Sequence, residues 1–333
     1  MAERKTRSVR IHQFGGPEVL HIEDTVVSAP GLGEVRLDIR AIGLNRTEVT
    51  LRSGRSPIKP ALPALIGWEA AGVIDEGGVD VENWRPGDRV ALVPAYGAAQ
   101  YALYSEVANA PARSLVAIPD SQTFEQAAAT WAAFGAAWAG LVSVGKLNKA
   151  DTVLISAASS SVGLAAIQTA IRVGARPIAL TRTSKKSLEL RTLGAAAVLA
   201  VEEVDVVEQV KGLTGGKGAN LVFDAVGGGG FSKLAEATAT GGRMILYGAL
   251  SAEPTVIPPF QVFARDLTIR GFAFPNLARN DEHLAAVKQF VSEGISSGSF
   301  VPKIARAFKF DEIVEAHRFL ESSDHTGKTV VSV

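Results

Sequence analysis

From Asp151 onward the chain adopts a rhythm that limits its fold more than any other feature. VLISA (Val153–Ala157), PIALT (Pro177–Thr181), AVLAV (Ala197–Val201), LVFDAV (Leu221–Val226) and RMILYG (Arg243–Gly248) are apolar runs of strand length. Helical patterns separate them, over Val162–Val173, Lys185–Leu193, Glu203–Leu213 and Phe231–Ala239. A strand covered on both faces reads as a continuous apolar run, and strands alternating with helices pair in parallel. The pattern predicts an α/β fold with a parallel, doubly wound sheet. LTIRGFAF (Leu267–Phe274) is a further strand candidate.

Residues before about 120 follow a different pattern. VRIHQF, EVRLDIRAIG, ALIGWEAAGVIDEG and RVALV carry β-branched residues, and GGPE, APGLGE and RPGDR supply turns between them. These predict a compact, mainly β domain. Glu125–Val144 reads as one long Ala-rich helix. The tail adds a helix over Asp311–Leu320, with Asp311 as its cap, and a closing strand, KTVVSV.

Composition narrows the function. With 34 basic and 34 acidic residues the net charge is zero, so nothing attracts nucleic acid or a membrane surface. The absence of cysteine excludes disulfides, thiolate zinc sites and a cysteine nucleophile. The basic start lacks an apolar core for a secretory signal, so a cytoplasmic location is expected. The uncharged stretch Ala127–Gly145 has spanning length, but it is rich in Ala and Gly and reads as a buried, closely packed helix. Asn45-Arg46-Thr47 fits a glycosylation acceptor, a chance match without such a signal.

Between the first strand and first helix of the alternating half lies AASSSVG. A dinucleotide loop needs a tight turn, close backbone approach to the pyrophosphate and close helix–strand packing. Aligned on G-x-G-x-x-G, the chain offers Ala158, Ser160 and Gly163. The packing position keeps its glycine and the other two stay small. Serine hydroxyls at Ser159, Ser160 and Ser161, with the free amides of the helix N-terminus at Ser161, Val162, Gly163 and Leu164, supply donors to phosphate. The bland reading is a small-residue packing turn, but its place as the first unit of the array favours a nucleotide.

An NAD site usually ends its second strand on an acid that binds the ribose 2′-hydroxyl. Here the strand ends Thr181-Arg182-Thr183-Ser184-Lys185-Lys186, with three cations, three hydroxyls and no acid. Arg182 and Lys186 would neutralise a 2′-phosphate that a carboxylate would repel. The expected cofactor is NADP(H). The alternative, a solvated helix start, sits poorly with cations at a helix N-terminus.

GWEAAGVIDEGG (Gly67–Gly78), RPGDRV (Arg85–Val90), AASSSVGLAAIQ, LVFDAVGG, GGRMILYGALS, LTIRGF and GKTVVSV, in this order and spacing, resemble the medium-chain dehydrogenase/reductase superfamily. The likeness is to its zinc-free quinone oxidoreductase and enoyl reductase branch and spans nearly the whole chain. It implies a GroES-like, mainly β catalytic domain (residues 1–125, returning over 266–333) and an inserted Rossmann domain (residues 126–265). It also implies a cleft between them and a homodimer.

The zinc-dependent branch carries Gly-His-Glu where this chain has Gly67-Trp68-Glu69, and Asn45 stands near the position of its first cysteine ligand. The structural zinc lobe's cysteines are missing, and the five histidines show no metal-like spacing. No zinc is expected. Without a Lewis acid, alcohol oxidation is disfavoured. The resemblance implies hydride donation from NADPH to a small quinone or α,β-unsaturated carbonyl. Two alternatives are an enoyl reductase of carrier-bound chains and an NADPH-binding sensor or structural protein.

The resemblance also assigns residues. Asn45 matches an asparagine beside the nicotinamide, or else caps a turn. Val226-Gly227 and Gly248-Ala249 would border the ribose and nicotinamide. Phe272-Ala273-Phe274 matches a segment whose backbone meets the carboxamide, and Lys328 a lysine near the cleft, unless it is an ordinary surface lysine. Ser56 replaces a tyrosine that some enoyl reductases use as proton donor, and Ala136 replaces a threonine that bonds the nicotinamide. Tyr96 is a substitute donor or a core residue; water could also protonate the product.

Overall fold

The computed structural model describes residues 3–333, which divide into two compact units. One comprises residues 1–132, 278–284 and 302–333, apart from the first two; the other comprises residues 133–277 and 285–301.

The second unit is the parallel sheet. Its strands are Thr152–Ile155, Arg176–Thr181, Ala197–Ala200, Ala219–Asp224, Thr238–Leu246 and Thr268–Gly271. Numbered one to six along the chain, they lie in the order 3-2-1-4-5-6, every pair parallel. The order reverses between strands 1 and 4, and a crevice opens there at the carboxyl ends. The apolar runs are strands because both faces are covered. Leu154, Ile178 and Val222 are fully buried, and each buried side chain of this size contributes roughly 1.5–3 kcal/mol.

The expected helices form over Ser161–Val173, Ser187–Thr192, Val206–Leu213 and Phe231–Ala237. Gly174, with a left-handed φ of 85°, ends the first. Asp205 starts the third, accepting the Val207 and Glu208 N–H groups.

The first unit is mainly β. A three-stranded sheet joins Leu20–Val27, Arg4–Ile11 and Ala64–Leu65. A seven-stranded sheet is centred on Glu34–Gly43, which pairs with Ala70–Gly77, Val107–Pro111 and the closing strand Lys328–Ser332. The closing strand runs antiparallel to Glu34–Gly43, with Val330 opposite Gly43. This register brings the end of the chain to Asn45.

Four expectations change. Strand 6 was expected in the returning segment beyond residue 266, yet it completes the parallel sheet, and residues 285–301 pack in that unit too. Arg172 explains the second point: it bonds Glu293 and lies over the rings of Phe290 and Phe300. The single helix over Glu125–Val144 is instead Phe124–Ala128, Trp131–Ala137 and a π-helical Trp138–Val144, in which Gly145 N–H reaches back to Gly140 C=O. The Phe124–Val144 stretch is long and apolar enough to cross a membrane, but 83% of its window is buried in the protein. Finally, Asp311 does not cap the tail helix, Ile313–Ser322; it pairs with Arg7. A helix over Asp281–Ser296 escaped the sequence reading.

Candidate functional site

The loop after strand 1 turns at Ala157, whose φ is 46°. Ser160 caps the following helix, its hydroxyl oxygen accepting the Gly163 N–H at 3.1 Å. The hydroxyl proton is thereby left to donate elsewhere. Of the four amides expected to be free, Ser161 and Val162 have no carbonyl one turn back in the helix, but Gly163 and Leu164 do not stay free, because both N–H groups bond to Ser160. A Cβ on Gly163 would lie 2.6 Å from Ala157 O, Ala158 Cα and Ala158 O. Strand and helix meet this closely only because residue 163 is glycine. The loop therefore fits a pyrophosphate.

Beyond strand 2 the side chains divide. Lys186 Nζ stands 3.3 Å from Ser159 Oγ, so its ammonium sits on the loop. Arg182, the first residue after strand 2, is exposed. Thr181 differs from its expected role as a phosphate donor: it is buried and its hydroxyl donates to Thr183 C=O at 3.0 Å. It shapes the turn. A carboxylate that strand 2 gave no sign of also arrives, for Glu203 Oε1 accepts the Ser184 N–H at 2.9 Å. Glu203 follows strand 3, and only the pairing of strands 2 and 3 brings it here.

At the crevice, strand 4 leads into Val226 and Gly227, and strand 5 into Gly248 and Ala249. A Cβ on Gly248 would lie 2.7 Å from Ala225 O, so these two ends approach through a glycine as well. After strand 6, the ring of Phe272 lies 6.4 Å from that of Tyr247, which stacks on Phe223 at 4.0 Å. Ala273 is exposed. Phe274 is a core residue packed against Gly135, so only its backbone is available to a ligand.

The first unit gathers a buried polar cluster. Asn45 precedes the helix Arg46–Arg52, and its N–H donates to Glu48 Oε2 at 3.0 Å. Lys328 Nζ donates to Asn45 Oδ1 at 2.6 Å and to Glu69 Oε2 at 2.5 Å. Because an ammonium only donates, it fixes which way the Asn45 amide faces. The amide nitrogen donates to Gly43 C=O at 3.0 Å, with Glu69 Oε2 at 3.4 Å. Glu69 Oε1 accepts the Ala132 N–H at 2.7 Å. Burial pushes the Glu48 carboxyl up to about 8, against the opposing pull of Lys328.

Lys328 was expected to serve a cofactor. At 2% exposure, with its charge committed to Glu69 and Asn45, it positions Asn45 instead. Tyr96 was a candidate proton donor. It is buried, and its hydroxyl donates to Trp68 C=O at 3.1 Å while Trp68 Nε1–H donates to Tyr96 C=O at 2.9 Å. The pair is a core clasp, and burial raises the phenol well above its ordinary pKa. Ser56 lies half-buried in a loop, its N–H bonded to Thr50 C=O. Ala136 lies in the helix Trp131–Ala137.

These residues do not suit a zinc ion. The Trp68 indole has no lone pair to give, and the Asn45 oxygen faces an ammonium. Among the described residues no group of three or more His, Asp or Glu side chains is arranged to hold a metal.

Residues 161–292 match a family model described as zinc-binding dehydrogenase, and residues 31–120 one described as the alcohol dehydrogenase GroES-like domain. A quinone oxidoreductase of Salmonella typhimurium is 30% identical over 97% of this chain and 98% of its own. Among solved structures, Escherichia coli quinone oxidoreductase complexed with NADPH superposes with a TM-score of 0.91 at 28% identity, covering 98% of this chain and 100% of that one. An NAD-dependent alcohol dehydrogenase superposes with a TM-score of 0.90 at 33% identity, covering 98% and 99%.

Proposed function

The chain belongs to the medium-chain dehydrogenase/reductase superfamily, in its quinone oxidoreductase branch, and on that footing we propose that this oxidoreductase is an NADPH-dependent, zinc-independent reductase of small quinones or enones. One observation carries the choice of cofactor: the Lys186 ammonium rests on Ser159 of the loop after strand 1, and Arg182, at the end of strand 2, is exposed. Two cations at this strand end suit a 2′-phosphate. Two acids meet this turn: Glu203, whose carboxylate the Ser184 N–H engages, and Glu202, whose N–H donates to Arg182 C=O.

When bound, NADPH supplies a hydride to the electrophilic carbon or oxygen of the acceptor. The chain's own part is to hold and orient. Ser159, Ser160 and the amides of Ser161 and Val162 take the pyrophosphate; Val226, Gly227, Gly248, Ala249 and the backbone of Phe272–Phe274 border the other half. Asn45, fixed by Lys328, is the side chain we assign to orienting the acceptor. The proton that completes reduction comes from water, since the Tyr96 hydroxyl is engaged in the core. The enzyme acts in the cytoplasm as a homodimer. In support of a second copy, strand 6 is one of the sheet's two edge strands, and Phe260 and Phe263, in the helix before it, are 73% and 64% exposed.

The test is NADPH oxidation by the purified protein with a panel of quinones and enones, with elemental analysis for zinc on the same sample. Turnover without metal supports the proposal. The likeness to an NAD-dependent alcohol dehydrogenase favours a competing reading, which would win if bound zinc accompanied NAD-linked alcohol oxidation.

A further inference from the structure

A buried carboxylate stands at the mouth of the crevice. Asp224 ends strand 4 and is 1% exposed. Its Oδ1 accepts the Ser156 hydroxyl at 2.5 Å and the Val226 N–H at 2.9 Å, and its Oδ2 accepts the Gly227 N–H at 3.0 Å. Ser156 Oγ in turn accepts the Ala225 N–H at 2.8 Å. All of these partners of Asp224 are donors, the arrangement that suits an anion.

Two consequences follow from this geometry. The amides of residues 225–227 are all engaged, so this turn cannot donate to a ligand. Ser156 directly follows strand 1 and Asp224 ends strand 4, so their bond ties the two sides of the crevice where the strand order reverses. A doubly wound sheet is built from two mononucleotide-binding halves. Strands 1–3 carry the loop and the cationic strand end, the adenosine side. Strands 4–6 therefore take the nicotinamide side, and Asp224 is the fixed negative charge at its first strand.

We infer that Asp224 is a positioning residue that sets the Ala225–Gly227 turn against strand 1 and biases the nicotinamide half toward the positively charged, oxidised ring. The inference rests on the proposed dinucleotide site. The reduced ring is neutral and the oxidised ring carries a positive charge, so a nearby buried anion distinguishes them by Coulomb attraction in a medium less polar than water. Its hydrogen bonds spread the charge without removing it.

Dissociation constants for NADP⁺ and NADPH, measured by calorimetry on the full chain, test this. Asp224→Asn removes the charge at nearly constant shape, and the preference for NADP⁺ relative to NADPH should fall about three- to tenfold, a shift expected of one partly screened charge. Ser156→Ala keeps the carboxylate but removes one donor from it, so the same ratio should move toward NADP⁺. A ratio unchanged in Asp224→Asn overturns the inference, whatever happens to overall affinity. Should that variant not fold, a Ser156→Ala ratio that moves toward NADPH overturns it equally. Wild-type protein that binds neither nucleotide defeats the proposed function itself, whereas binding of both with an unmoved ratio defeats only the role of Asp224.

Discussion

Lys328 Nζ lies 2.6 Å from Asn45 Oδ1, across 283 positions of chain, and the same ammonium closes a fully buried ion pair with Glu69. Removing one member of such a pair leaves the other charged and out of water. We expect Lys328→Met to lower unfolding stability by about 3–5 kcal/mol. The double variant Glu69→Gln/Lys328→Met should recover much of that loss, because no charge is then stranded. Urea unfolding of the three proteins checks both points. Equal stability of the single and double variants would show that packing of the lysine stem, and not its charge, matters.

Arg182→Ala should raise KM for NADPH far more than for NADH. A charge-assisted phosphate contact contributes about 1.5–3 kcal/mol, so the ratio of the two should shift by roughly one to two orders of magnitude. Parallel changes with both nucleotides would reject the 2′-phosphate assignment.

Tyr96→Phe separates a core clasp from a proton donor. The variant loses the hydroxyl's bond to Trp68 C=O and leaves that carbonyl buried. Thermal unfolding should show a loss of about 1–3 kcal/mol. The kcat should stay within twofold of wild type, on the order expected where no group touching substrate is lost. A large fall in kcat with intact stability would restore Tyr96 to the chemistry.

His317 governs part of the acid response. It is fully buried against Tyr104, neither ring nitrogen has a protein partner, and burial holds its imidazole down to about 3. In the unfolded chain the group titrates near its ordinary value of 6.5. Below that pH the unfolded state gains a proton that the folded state refuses, so stability falls as pH drops from 6.5 toward 3. The slope from this one group reaches about 1.4 kcal/mol per pH unit. His317→Phe should flatten the acid limb of stability measured by denaturant titration between those values. An unchanged limb would place the acid sensitivity elsewhere.

Much of the parallel-sheet unit was legible in the sequence because its signals are local. A doubly covered strand must be apolar throughout, and Gly163 must be glycine because a Cβ would strike the backbone of Ala157 and Ala158. What lay further along the chain was harder to read. The helix Asp281–Ser296 did carry a local start signal, since Asn280 Oδ1 accepts the His283 N–H ahead of the acidic Asp281 and Glu282, but strand 6 looked like any short apolar run until its pairing with strand 5 placed it.

The sequence by itself determined the alternation of strands and helices, the small-residue loop after strand 1 and the cationic end of strand 2, since each depends on neighbours a few residues apart. Tertiary structure alone decided that Lys328 is an orienting group and not a surface lysine, that Tyr96 is core, and that Glu203 reaches Ser184. Those outcomes depend on strand pairings and packing between segments far apart in the chain. No local pattern of residue types encodes the register that brings such side chains within hydrogen-bond reach.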